Sequence, residues 1–259
     1  RSPQGYSSAA SDVYKRQGTH CNNNNIGEIV VQGSFGNNVT YALVGKYFVV
    51  KGTGFMDFSK VSDYSEYITS IKKVYIKNGV TAICRSMFDG CSNLEKIEIP
   101  EGVTNISNLA FKGCSMLKEV KIPNSVTAIQ TRAFTDCVSL KKVVLPIGLS
   151  VVSNNLFLNC TELSSVNIPK GVTTIEYSAF YMCKGLKEIT IPDKVTTIGK
   201  GAFYGSGLTN VTIGSGIEEI EATAFGGTKD LTTITIKKST DSIENAPWGA
   251  TNAEIIWEE

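Results

Sequence analysis

Within each 23-residue stretch of this chain, apolar and polar positions alternate briefly, pause at a proline, turn extended again, and then close on an apolar pair. In Leu186 to Gly207, Ile189-Thr190-Ile191 alternates with the period of a half-buried strand. Pro192 ends it, because proline brings no N–H to a ladder. Asp193 and Lys194 make the corner, and Val195 to Ile198 reads as a second short extended segment rich in β-branched residues. Gly199 to Gly201 turn the chain. Ala202 and Phe203 then form an apolar pair in a single helical or 3₁₀ turn, too short to stand without neighbours.

The same pattern recurs from Ile71 to about Asp230. Its fullest copy, Leu117 to Ser139, reads LKEVKIPNSVTAIQTRAFTDCVS, and copies begin at Ile71, Leu94, Leu117, Leu140, Leu163, Leu186, Leu208 and, degenerately, Leu231. Phe88, Phe111, Phe134, Phe157, Phe180, Phe203 and Phe225 keep step, as do Cys91, Cys114, Cys137, Cys160 and Cys183. A period in the twenties predicts a stacked solenoid of about seven to eight coils, since no single coil can bury its own apolar face. Coils stacked about 4.8 Å apart would set each phenylalanine against the next.

The pattern LxxIxIPxxVTxIxxxAFxxC resembles the leucine-rich repeat of BspA-like bacterial surface proteins, also called the Treponema pallidum type. The resemblance implies a right-handed leucine-rich-repeat coil, β-rich with short helical turns. It also implies a secreted or surface-attached protein that binds other proteins or host matrix. Asn38 to Phe58 resembles the β-rich N-terminal flank of such proteins, and Ala246 to Trp257 their last coil. Three positions depart from the pattern: Ser206 replaces cysteine in a shortened copy, and Gly214 and Lys237 replace proline, which puts regular curvature in doubt toward the C-terminal end.

The organisation read from the chain has four parts. Ser7 to Gln17 (SSAASDVYKRQ) matches the translation of DNA resembling a transposase sequencing adapter, so residues 1–17 are expected to be an assembly artefact and are set aside. The natural beginning is then expected to be missing, and the lack of a leader carries no information. Residues 18–70 are expected to form a β-rich flank, with Val39, Tyr41 and Leu43 alternating, a Gly45-Lys46 turn, and Tyr47 to Val50 returning as a hairpin that caps the first coil. Gly52 to Gly54 and the polar stretch Ser59 to Ser65 connect it to the repeats at 71–230. Residues 231–259 hold a degenerate last repeat and a C-terminal cap, closed by Trp248, Ile255, Ile256 and Trp257.

Composition narrows the chemistry. A formal net charge of +1 argues against dedicated nucleic-acid binding, and no run of about 18 apolar residues predicts a membrane span. The single histidine, His20, lies far outside the array, so no Ser-His or Cys-His pair can form within it. No metal is expected, because the ladder cysteines come one per coil without CxxC spacing. Disulfides among them are disfavoured by parallel side-chain directions, which leaves them as small buried apolar groups. Cys21 and Cys84 break the pattern and receive no role. Phosphate-binding loops are absent, and the lone GxG at Gly52 to Gly54 reads as a turn. No catalytic residue and no cofactor is assigned; carboxylate pairs such as Glu218-Glu219 leave a two-carboxylate hydrolase as the third-ranked reading. Sequons at Asn38, Asn105, Asn159 and Asn210 matter only in a eukaryotic secretory source.

The strand face is then the expected binding surface. In each LxxIxI the aliphatic positions point inward and two others outward. The outward pairs Lys73/Tyr75, Lys96/Glu98, Glu119/Lys121, Lys142/Val144 and Ser165/Asn167 form the expected partner-binding region. Beyond it Glu188/Thr190, Asn210/Thr212 and Thr233/Thr235 are richer in hydroxyls. The function expected is non-enzymatic, adhesion-type binding of protein or another surface polymer by an extracellular or cell-surface protein. A structural spacer within a longer surface protein is the alternative.

Overall fold

A mixed sheet opens the molecule. The structure, a computed structural model, describes residues 29–239 and 243–258, so the expectation for residues 1–17, His20 and Cys21 lies outside the described residues. Strands β1 (Ile29–Ser34), β2 (Val39–Val44) and β3 (Tyr47–Gly52) form an antiparallel meander, followed by the short β4 (Gly54–Phe55). The β2–β3 hairpin turns at Gly45-Lys46, where Gly45 takes φ 57 and Lys46 is not left-handed, the arrangement of a primed hairpin turn. The alternation at Val39, Tyr41 and Leu43 gave no hint of β1, a six-residue strand paired along β2. Beyond β4, Phe58–Ser70 forms a 3₁₀ helix, opened by Asp57, whose carboxylate accepts the Ser59 N–H at 2.9 Å.

From here each coil adds two strands. They are β5 (Lys73–Ile76) and β6 (Val80–Ile83), β7 (Lys96–Glu98) and β8 (Asn105–Ile106), β9 (Glu119–Lys121) and β10 (Ala128–Ile129). Next come β11 (Lys142–Val144) and β12 (Val151–Val152), then β13 (Ser165–Asn167) and β14 (Thr174–Ile175). The last are β15 (Glu188–Ile191) and β16 (Thr197–Ile198), β17 (Asn210–Ile213) and β18 (Glu219–Ile220), β19 (Thr233–Ile236), and β20 (Glu254–Trp257). The odd-numbered strands from β5 to β19, closed by β20, line one side as nine parallel rungs among the described residues, and the chain is a repeat solenoid. Strand β3 pairs in parallel with β5, Tyr47 opposite Lys73 and Val49 opposite Tyr75. The cap strand thus covers the first coil's edge and is itself a rung of the same face.

Seven phenylalanines, Phe88 to Phe225, run through the core as one fully buried stack. Successive ring centroids lie 5.2 to 5.8 Å apart with small interplanar angles. Phe48 of the cap meets Phe88 edge-on at 5.8 Å and 87°, ending the column. Tyr64 is buried beside it and donates its hydroxyl to the Met87 carbonyl. At the far end Trp248 is fully buried and donates its indole N–H to the Glu244 carbonyl at 2.7 Å. Ile255 and Trp257 pack inward, whereas Ile256 faces outward opposite Thr235, so Ile256 does not help close the last coil.

The ladder cysteines are free thiols, all buried. They do more than fill space. Cys114, Cys137, Cys160 and Cys183 donate to the carbonyls of Phe88, Phe111, Phe134 and Phe157 in the preceding coils at 3.1 to 3.3 Å. Burial pushes the thiols of Cys91, Cys114, Cys160 and Cys183 upward, and that of Cys84 up to about 12.

Opposite the strands, two residues per coil adopt left-handed φ. One column holds Ser86, Leu109, Arg132, Asn155, Ser178 and Gly201; the other holds Gly90, Gly113, Asp136, Asn159, Met182, Gly205, Gly227 and Gly249. This reversal aims successive N–H groups at the next coil. Leu109, Phe111 and Gly113 donate to the carbonyls of Thr131, Ala133 and Thr135, and the pattern repeats along the molecule. The shortened coil keeps its strand register, with β15, β17, β19 and β20 continuously paired. Gly214 makes that fit possible, because a Cβ there would lie 2.5 Å from the Asp193 backbone.

Candidate partner-binding face

Register places the expected residues in two rows. Lys73 stands opposite Lys96 and Tyr75 opposite Glu98; Glu119, Lys142 and Ser165 align, as do Lys121, Val144 and Asn167. All ten are at least partly exposed, and each sits between buried neighbours such as Val74, Ile97, Val120 and Val143. The alternation that buries Val120 forces Glu119 and Lys121 out. The rows are not continuous. Among the described residues no backbone hydrogen bond joins β7 to β9 or β13 to β15, so the face is divided by two seams.

The charge along these rows is less uniform than the lysines suggest. Lys96 pairs with Glu98 at 3.0 Å, and that hydrogen bond raises the lysine above its ordinary range. Lys73 sits with its ammonium 5.6 Å from the centre of the Tyr47 ring, which lies 6.4 Å from that of Tyr75. Lys121 and Lys142 have no carboxylate within ion-pairing distance among the described residues. Beside them Val144 is 53% exposed and Ile147 75%, an apolar spot next to two unpaired cations. Over the first seam, Lys96, Glu98, Glu119, Lys121, Lys142 and Val144 rim a hollow of about 520 Å³ whose floor includes Ile97, Ile99 and Val120.

Two contributors escaped the sequence reading. Tyr47 reaches this face because the cap strand joins the parallel rungs. Ile147 occupies the corner after proline where other coils carry Glu101, Asn124, Lys170 and Asp193, so an aliphatic there is a readable departure. Among the described residues no group of three or more His, Cys, Asp or Glu could hold a metal ion. Nor is any described helix long and apolar enough to cross a membrane.

A family model described as the BspA type leucine rich repeat region matches residues 59–187 and 174–255, with six copies. Among curated proteins none matches the chain. Solved structures with the same fold include a leucine-rich repeat protein from Bacteroides ovatus, 21% identical, with a TM-score of 0.63 over 86% of this chain and 70% of that one. A leucine rich cell surface protein from Faecalibacterium prausnitzii is 24% identical, with a TM-score of 0.56 over 83% of this chain and 73% of that one. A leucine-rich repeat protein from Eubacterium ventriosum is 20% identical, with a TM-score of 0.53 over 88% and 78% of the two chains.

Proposed function

This chain belongs to the BspA-type leucine-rich repeat family, and from that premise we propose that it is a bacterial cell-surface or secreted protein that binds another protein or surface polymer through its strand face without catalysing a reaction. The surface location rests on the family and on the description of the Faecalibacterium prausnitzii neighbour as a cell surface protein.

One observation carries the binding reading: the unpaired Lys121 and Lys142 flank the exposed Val144 and Ile147 beside a hollow with an apolar floor. An apolar spot rimmed by charge is the composition of a recognition surface. Unpaired lysines on a face steer an oppositely charged partner and speed its approach. They contribute little to folding, since exposed substitutions away from partners shift stability by less than about 0.5 kcal/mol.

The test is a charge reversal of Lys73, Lys121 and Lys142 to Glu, scored by biolayer interferometry against ligands found on arrays of extracellular proteins and polysaccharides. Melting temperature should hold while binding is lost. The matched control reverses Lys184, Lys200 and Lys229, exposed residues off the strand face, and should keep binding. If neither set changes binding, the face is merely solvated and the spacer reading replaces this one.

A further inference from the structure

The larger hollow of the molecule, about 710 Å³, lies over the second seam, farther along the face than the region assigned above. Val166, Ile168, Ile189 and Ile191 give it an apolar floor, and Asn167, Thr190 and Thr212 line its walls. Lys170, Lys194 and Lys237 stand together at its corner end. None of the three has a carboxylate within ion-pairing distance among the described residues. The one acid beside them, Asp193, already accepts the Ser215 N–H at 3.2 Å. Lys237 stands where the repeat calls for proline, and Gly214 gives the neighbouring coil no side chain at that corner. Both departures from the repeat therefore enlarge or charge the same hollow.

The seam beneath adds a second, independent feature. Strand β13 pairs only with β11, and β15 only with β17, and no backbone hydrogen bond crosses between them among the described residues. Peptide N–H and C=O groups along this line lack the partners that every other paired rung supplies. Such groups cost free energy unless something bonds to them. A volume of this size is in the range of sites that hold a ligand.

We propose that this hollow captures the carboxy-terminal end of an extended peptide. The terminal carboxylate lies among Lys170, Lys194 and Lys237, the last side chain rests on the isoleucine floor, and the peptide backbone bonds to Asn167, Thr190, Thr212 and the seam. The three features select the class jointly. Clustered ammonium groups ask for a carboxylate, the floor for an apolar side chain, and the amide, hydroxyl and seam groups for alternating donors and acceptors, which a peptide backbone supplies. The site is distinct from the Lys121–Val144 region and does not depend on it.

The probes are fluorescein-labelled hexapeptides Gly-Ser-Gly-Ser-Gly-X, with X Leu, Ile, Val or Phe, each made as the free acid and as the amide, followed by fluorescence anisotropy with the full chain. At least one free acid should bind at least about tenfold more tightly than its amide, and added salt should weaken it. The combined Lys170→Glu, Lys194→Glu and Lys237→Glu change should abolish binding, while Lys121→Glu with Lys142→Glu should leave it intact. If the triple variant does not fold, the acid-against-amide comparison on the unaltered chain still decides. Equal binding of acid and amide overturns the proposal, as does the absence of binding for every peptide up to about 1 mM. Binding of galacturonic acid alone, with no peptide bound, would make it a saccharide site and overturn it equally.

Discussion

Removing the ring of Phe134 tests the central column most directly. Phe134 is fully buried between Phe111, at 5.3 Å and 11°, and Phe157, at 5.8 Å and 12°. Truncating a buried phenylalanine to alanine costs about 3–5 kcal/mol through lost transfer energy and the cavity left behind. Each stacked pair adds about 0.5–1.5 kcal/mol beyond the area it buries. Phe134 loses two such pairs, whereas Phe225, stacked on Phe203 at 5.3 Å and 4°, loses one among the described residues. Phe134→Ala should therefore fall at the top of that range, and Phe225→Ala about 0.5–1.5 kcal/mol below it. Against a total of about 5–15 kcal/mol, the central change approaches the limit of what the fold tolerates. Urea unfolding followed by circular dichroism measures both. Because coils couple chiefly to their neighbours, amide exchange should also show the loss centred on the coils of Phe111 and Phe157. Equal costs for the two variants, or a cost below about 1 kcal/mol at Phe134, would refute the stack as a source of stability.

Three further outcomes follow from particular residues. Ser206 stands where other coils carry a thiol, and its buried hydroxyl has no hydrogen-bond partner among the described residues; Ser206→Ala should raise the stability by about 1–2 kcal/mol in thermal unfolding, and a loss would contradict this. Arg132 is exposed at φ 60, so Arg132→Gly should gain about 0.5–1 kcal/mol, the left-handed penalty less the entropy of glycine, while Gly113→Ala, at φ 71, should lose about 1–2 kcal/mol in the same assay. The raised thiols of Cys84, Cys91, Cys114, Cys160 and Cys183 stay protonated in the fold after the unfolded chain begins to ionise near pH 8.5. Their contribution is therefore complete below that pH and declines above it. Urea midpoints from pH 7 to 10 should fall less steeply for Cys114→Ala than for the unaltered chain, and identical slopes would oppose the assignment.

What could be read from the sequence is what every coil repeats. The phenylalanine column and the outward rows follow from a fixed period, because stacking converts recurrence along the chain into contact across it. The left-handed columns were harder to see. One is half-declared by Gly90, Gly113, Asp136, Asn159 and Gly205, but the other mixes serine, leucine, arginine, asparagine and glycine, and only the inter-coil hydrogen bonds require its geometry. The thiol hydrogen bonds were hidden for a related reason: a carbonyl acceptor leaves no mark in residue type. Phe58–Ser70 carries a polar run without helical apolar spacing, so its 3₁₀ form comes from packing rather than from propensity. The seams leave no local signature, and the charge of the candidate face was misjudged at Lys96 because pairing with Glu98 depends on rotamers.

The two sides of the solenoid are fastened differently. On the turn side, inter-coil bonds pass without interruption from Ser86 through Phe225 to Trp248, whereas the strand side parts at two seams three rungs apart. The molecule is bound like a book, stitched along its spine and free to open at two places between its pages. Bending strain then concentrates at those two openings instead of spreading evenly. Whatever lodges at either one sets the angle between the blocks on its two sides, so a small ligand at the face acts on the long-range course of the whole coil.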